Sequence, residues 1–388
     1  MVGILLFASA IFPAQAAFTS LYIFGDGVST TTTNSNAGQY FYGLRRSNGR
    51  VWVELLAQEL GLTNNYWYSN NSSIHLSYTN LSAASTNWSY SSNNWSYFGQ
   101  YSPNLLQSLN NFTAPPNATN ALFVVWVNDA DFVYDINNYS PYTSNNIATW
   151  TNAINQSLTN HFKIITNLYA KGARTLIMPN AVDVTEIPAY NTLAANNKSF
   201  IRQRIIDFNT TFPALLNQAR ASLPGITIYE PDFFSLLDNV LTNAACYGLT
   251  NALSSKGLSI DAYDDPSIPI LTLNGQGTNY IFWFSTDPTA KFHAVLADIT
   301  QQLISPVQIS QITSLNGTNQ LVVTNVPIGQ NGLVIGCMDL LASSWTTNLL
   351  SNGANTFAST NTSQTIFVPV SGPQWFYRLK FPYTWSWP

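Results

Sequence analysis

The stretch "LYIFGDGVSTT", residues 21–31, decides how the chain reads. A short, continuous apolar run ends at Gly25, and a loop rich in hydroxyls follows at once. A run of this kind, bounded by polar turns, suits a strand buried on both faces of a parallel sheet. A strand-to-loop junction is also where an α/β enzyme presents a nucleophile. Yet the residue after Gly25-Asp26 is Gly27, which has no side chain to react with.

Three further runs share the strand character: "ALFVVWV" (121–127), "RTLIMPN" (174–180) and "GITIYEP" (225–231). Helical patterns lie between and after them. "VWVELLAQEL" (51–60) has apolar residues at helical spacing and stops before Gly61, a C-terminal glycine signal. Residues 147–172, 197–223 and 288–304 are amphipathic in the same way, the second with Pro213 as an expected bend and the third with proline at its start. Strand–helix alternation over this length predicts a parallel sheet with helices on both faces. Ligands of such sheets sit beyond the C-terminal strand ends. The loop after Gly25, Asn128-Asp129 and Asn180 would all gather there.

Composition narrows the class. With 388 residues the chain can hold two or three cored domains. Charged residues are 8%, against roughly 25% in an ordinary globular protein, so Asn, Ser and Thr carry the surface. A net charge of −4 leaves no basic patch for nucleic acid. The N-terminus, "MVGILLFASAIFPAQA", has an apolar run followed by Ala14-Gln15-Ala16. That predicts a secretory signal peptide over 1–16, although no Lys or Arg precedes the run. No later segment is long and apolar enough to predict a membrane span. Cys246 and Cys337 are far apart and read as two separate buried thiols. Nothing calls for a cofactor or a metal.

Residues 63–101 are Asn/Ser-rich with interleaved Trp and Tyr. They read as a surface excursion anchored by its aromatics, or as a cleft wall able to stack on a glycan ring. From about residue 306 the texture becomes short β-rich runs with Asn-Gly and Gly-Pro turns. This predicts an α/β unit over 17–305 and a small immunoglobulin- or fibronectin-like β-sandwich over 306–388.

Four blocks stand in order: "FGDG" (24–27), "SNGRVWVELLAQELGL" (47–62), "VVWVNDADF" (124–132) and "YIFWFSTDPTAKFHAVLAD" (280–298). Together they resemble the GDSL-type lipase/esterase family, the SGNH hydrolases. The resemblance implies a flavodoxin-like three-layer α/β sandwich and hydrolysis of lipid, sugar or small acyl esters. Carried over position by position, the family's nucleophilic serine falls on Gly27. Its oxyanion-hole glycine falls on Gly49 and its oxyanion asparagine on Asn128, followed by Asp129. Its Asp-x-x-His, aligned on Pro288-Thr289, falls on Phe284 and Asp287. All three triad positions are therefore substituted, while Gly27, Gly49 and Asn128 keep an oxyanion pattern.

Acyl transfer needs a nucleophile with an ionisable proton, a base about 3 Å away and a group that orients the base. Gly27 cannot attack, and Phe284 cannot orient an imidazole. A rearranged set would use Ser29 and His293; six residues along a helix, however, turn Asp287 and His293 to different directions. Asp26, Asp129 and Asp287 could also converge, to share a proton, hold a hard cation or act on a glycoside. Asp26 and Asp129 read more simply as braces for loop N–H groups. The sequence thus predicts a secreted, degenerate esterase that binds a carbonyl- or acetyl-bearing ligand. The alternatives are an active esterase with a rearranged triad and a polysaccharide-binding surface protein.

Overall fold

The computed structural model describes residues 18–31, 40–43, 45–62, 93–338, 345–347, 350–370 and 375–381. The expected signal peptide, His75 and most of the aromatic Asn/Ser stretch lie outside them.

Four parallel strands form the first sheet, in the order β1 (Leu21–Gly25), β2 (Leu122–Trp126), β3 (Thr175–Ile177), β4 (Thr227–Tyr229). Each coincides with one of the four apolar runs. β2 is buried at all five positions, as a strand covered on both faces must be. The chain also touches the free edge of β1. Ile23 donates to the Asn93 carbonyl at 2.9 Å, Trp95 donates back to Ile23 at 2.8 Å, and the bridge is parallel. Residues 93–95 therefore lie beside β1 on the side away from β2. Counted with that segment, the order in space is second, first, third, fourth, fifth, the flavodoxin-like order.

Two groups of helices flank the sheet. Helix α1 (Trp52–Glu59) pairs with a late helix, Ala290–Ile304, while α2 (Ser102–Asn111) packs on a long helix, Ile147–Ala170. That long helix, α4, follows α3 (Asn128–Asn138) and packs in turn on α5 (Ala195–Ser222). α5 runs on through Pro213. α6 (Phe233–Asn243) completes the layer before the late helix, α7. α1 ends as expected: Gly61 has φ +72°, and Leu62 donates to the Ala57 carbonyl at 2.9 Å. Thr289 caps α7, its hydroxyl accepting from the Phe292 amide at 3.2 Å. Just before α7 a short hairpin pairs β5 (Phe282–Phe284) with β6 (Asp287–Pro288).

The change of texture near residue 305 coincides with the end of α7. Antiparallel strands follow: β7 (Gln308–Leu315), β8 (Thr318–Thr324), β9 (Asn331–Cys337), β10 (Thr346–Thr347), β11 (Phe357–Ala358), β12 (Ser363–Pro369) and β13 (Phe376–Lys380). They make one sheet ordered β12-β8-β7 and another centred on β9. Leu321, Val323, Val334, Phe357 and Ile366 form a small core of their own. Cys337 is buried as expected, but Cys246 is exposed. It sits on a short turn after α6, where no second layer covers it.

Candidate functional site

A cavity of about 370 Å³ opens at the C-terminal strand ends. Asp26 and Gly27 from the β1 loop, Asp129 from the first turn of α3, and Asp287 from β6 all line it, together with Arg46. Asp26 Oδ1 accepts from the Val28 amide at 3.0 Å, an Asx-turn that fixes the loop. Asp129 Oδ1 accepts from the Val182 amide at 2.8 Å. The expected bracing roles of both aspartates are thus visible, and so is their convergence with Asp287. The remaining wall is mostly apolar, from Trp126, Val133, Val184, Phe233, Phe282 and Leu296 among others, with Asn137, Ser285 and Thr286 adding polar groups.

The nucleophile position is covered. A Cβ added to Gly27 would lie 2.8 Å from Phe98 Cδ2 and 3.1 Å from Arg46 Cδ. The Arg46 guanidinium stands 3.7 Å from the Phe98 ring centroid, and its Nε donates to Asp287 Oδ1 at 3.1 Å. Arg46 thus bridges the serine position and the histidine position of the family pattern. Neither Arg46 nor Phe98 was singled out from the sequence. A signal existed for the first: Arg45, Arg46 and Arg50 crowd into six residues of a chain with 14 cations in all.

Burial governs the electrostatics. It pushes Asp26 up to about 6 and Asp287 up to about 7, Arg46 opposing the rise at Asp287. Asp129 rises well above the usual carboxylate range, first from burial and then from the charge of Asp26. Among the described residues no group of three or more His, Cys, Asp or Glu side chains is placed to hold a metal ion.

The other predicted residues lie outside this cavity's lining. Asn128 is buried, and its Nδ2 donates to the Pro179 carbonyl at 2.8 Å, so one of its two amide hydrogens is used on the loop after β3. Gly49 is buried in the segment entering α1. Its neighbour Asn48 ties that segment to the Leu273 carbonyl and the Ala290 amide. Phe284 turns into a second aromatic cluster, its ring edge-on to Phe41 and Tyr263. Asn180 braces the start of α6 through Asp232 and the Phe234 amide.

Ser29 and His293 meet on a common partner, Trp52. Ser29 Oγ accepts the indole N–H at 3.0 Å, and His293 Nδ1 accepts the Trp52 backbone N–H at 3.2 Å. Both are fully buried. Burial pushes His293 down to about 3, so the ring stays neutral. Trp52 stacks edge-on against Trp126 and Phe233, which line the cavity. The pair therefore holds up the cavity wall from behind.

No protein-family profile matches the chain. Among curated proteins, a GDSL esterase/lipase of Arabidopsis thaliana is 22% identical over 333 residues, covering 76% of this chain and 86% of its own. A second from the same plant is 24% identical over 351 residues, covering 78% and 92%. The chain is a relative of the GDSL esterase/lipases. Solved structures similar to this GDSL relative include LAE5, an alpha/beta hydrolase from the metagenome of Lake Arreo, at 12% identity and TM-score 0.39 over 75% of this chain and 97% of that one. The psychrotrophic esterase EstA from Pseudoalteromonas sp. matches at 14% identity and TM-score 0.33, over 74% and 96%. Among the described residues no helix is long and apolar enough to cross a membrane.

Proposed function

We propose that this GDSL relative is a secreted binding protein that has given up ester hydrolysis. It holds an apolar, carbonyl-bearing ligand in the strand-end cavity. One observation carries the reading: Arg46 and Phe98 occupy the space above Gly27, and Arg46 is ion-paired to Asp287. A serine side chain would fit only if the Phe98 ring shifted, and the residue at the base position is engaged with a cation. The volume and the mostly apolar wall suit a small amphiphile. The Trp126 indole N–H is buried in that wall without a hydrogen-bond partner, so a ligand oxygen has a donor to meet. The N-terminal apolar run and its Ala-x-Ala end support export of the chain.

Turnover of p-nitrophenyl esters and labelling by a fluorophosphonate test the reading together. The expected result is no hydrolysis above a heat-denatured control and no covalent adduct. Quenching of tryptophan fluorescence by a neutral ester such as ethyl decanoate is expected alongside. An adduct mapped to one serine would establish the rearranged esterase instead.

A further inference from the structure

We infer that the strand-end cavity selects an amphiphile with a cationic head, an alkylammonium whose charge sits among Asp26, Asp129 and Asp287 while its chain lies on the apolar wall. The inference rests on the binding function proposed above and adds the chemistry of the head group.

Its first support is a charge imbalance. The acids and bases lining the cavity are three aspartates and one arginine. Arg46 is already engaged, donating to Asp287 Oδ1 and stacked on Phe98. Asp26 and Asp129 each use Oδ1 for a backbone N–H, and among the described residues neither is ion-paired. The second support is independent. Asp287 is only 1% exposed, yet its Oδ2 has no hydrogen-bond partner. A buried carboxylate oxygen left unsatisfied is costly, and a cation entering beside it removes that cost. Burial and the mutual repulsion of the acids already disfavour their charged forms, and a bound cation favours those forms, so its binding releases protons from them. A carboxylate head meets the opposite field. It would have to draw Arg46 away from Asp287 and sit beside two further acids.

The test compares three probes of one chain length on the full protein at neutral pH: decylammonium, decanol and decanoate, each below its micelle concentration. Affinity is read by calorimetry. The cation is expected to bind at least about tenfold more tightly than decanol, and decanoate more weakly than decanol. Asp26→Asn with Asp129→Asn keeps both Oδ1 acceptors and is expected to shrink the cation-to-anion ratio at least about fivefold. Decanoate binding as tightly as the cation overturns the inference, and so does an unchanged ratio in the double variant. Decanol binding without a cation preference overturns the head-group inference alone. Failure of all three probes while ethyl decanoate still quenches the tryptophans overturns the head-group inference alone; failure of ethyl decanoate as well overturns the proposed binding function with it.

Discussion

Two regions of this molecule divide what a GDSL active site keeps in one place. On the family alignment the strand-end cavity would have the position but not the residues: Gly27 and Asp287, which line it, fall on the Ser and His positions, and Phe284, which turns away into the second aromatic cluster, falls on the Asp position. Between α2, α3 and α4 the reverse holds. Asp131 Oδ2 accepts the Ser157 hydroxyl at 2.5 Å, and His161 Nδ1 lies 3.4 Å from Ser157 Oγ and 2.8 Å from the Ser157 carbonyl oxygen. Aspartate, serine and histidine are all there, and none lines the strand-end cavity. The serine stands between the other two, so no imidazole is oriented by the acid. All three are buried, and burial pushes His161 down. Residue types make an active site only when the nucleophile, base and orienting acid occur in that order and open onto a cavity. The helix cluster answers the needs of folding, and on the proposed reading the cavity answers those of a ligand.

The strongest way to break this division is to put the chemistry back where the position survives. Gly27→Ser, Phe284→Asp and Asp287→His restore the triad types. The contacts at Gly27 add a requirement: Arg46→Ala and Phe98→Ala must clear the space. The five-fold variant is expected to hydrolyse p-nitrophenyl acetate on the order of 100-fold faster than its parent, a fraction of what a full triad contributes. The triple variant that retains Arg46 and Phe98 is expected to stay inactive. Equal activity in the two would show that the cover is not what closes the site.

The helix cluster should respond through stability instead. Asp131 also accepts the Ser102 amide at 2.8 Å, so Asp131→Ala strands that N–H and the Ser157 hydroxyl in a buried place. Loss of about 3 kcal/mol is expected in urea unfolding. A loss below about 1 kcal/mol would mean that the cluster is not a folding device.

Proton linkage gives a smaller effect that both regions share. Burial raises Asp26 to about 6, Asp287 to about 7 and Asp135, beside the helix cluster, to about 8. The folded protein keeps protons that the unfolded chain releases at about pH 4. Their stabilising contribution is complete below that pH and is lost as pH rises through each folded value. His293, pushed down to about 3, acts oppositely and costs stability as pH falls below 6.5. The raised carboxyls outnumber the lowered imidazoles, so the melting temperature is expected to fall by several degrees between about pH 5.5 and about pH 8.5. Asp135→Asn should flatten the alkaline part of that fall. A melting temperature that climbs over the same range would contradict the burial of these acids.

Much of the fold was legible because its signals are local. β1 and β2 are unbroken apolar runs, and the stop at Gly61 and the cap at Thr289 follow from single residues. The convergence of Asp26, Asp129 and Asp287 was legible as well, since each follows or adjoins a strand end. What occupies the cavity mouth was not. Arg46 and Phe98 meet across 52 positions of chain, most of them featureless Asn/Ser sequence. The fate of Asn128 was equally hidden. One of its two amide hydrogens goes to the Pro179 carbonyl, which passes 2.8 Å away, so at most the other could serve an oxyanion hole. Such competition depends on where a distant backbone runs, and no spacing in the sequence encodes it.

The smallest effect separates scaffold from chemistry at Ser29, the residue a rearranged triad would use. Its Oγ is the acceptor for the Trp52 indole, and its Cβ and Oγ lie over Gly25, 2.8 and 2.9 Å from where a side chain there would begin. Ser29→Ala leaves a buried indole N–H without its acceptor, at an expected cost of about 1–2 kcal/mol. Trp52 supports Trp126 and Phe233, so a slackened wall should also weaken ethyl decanoate binding by about twofold to threefold. Ester turnover, already at background, should not move. If instead the parent shows turnover and Ser29→Ala abolishes it at unchanged stability, Ser29 is a nucleophile. The position and the residue types would then have met after all, two residues past the place where the family keeps its serine.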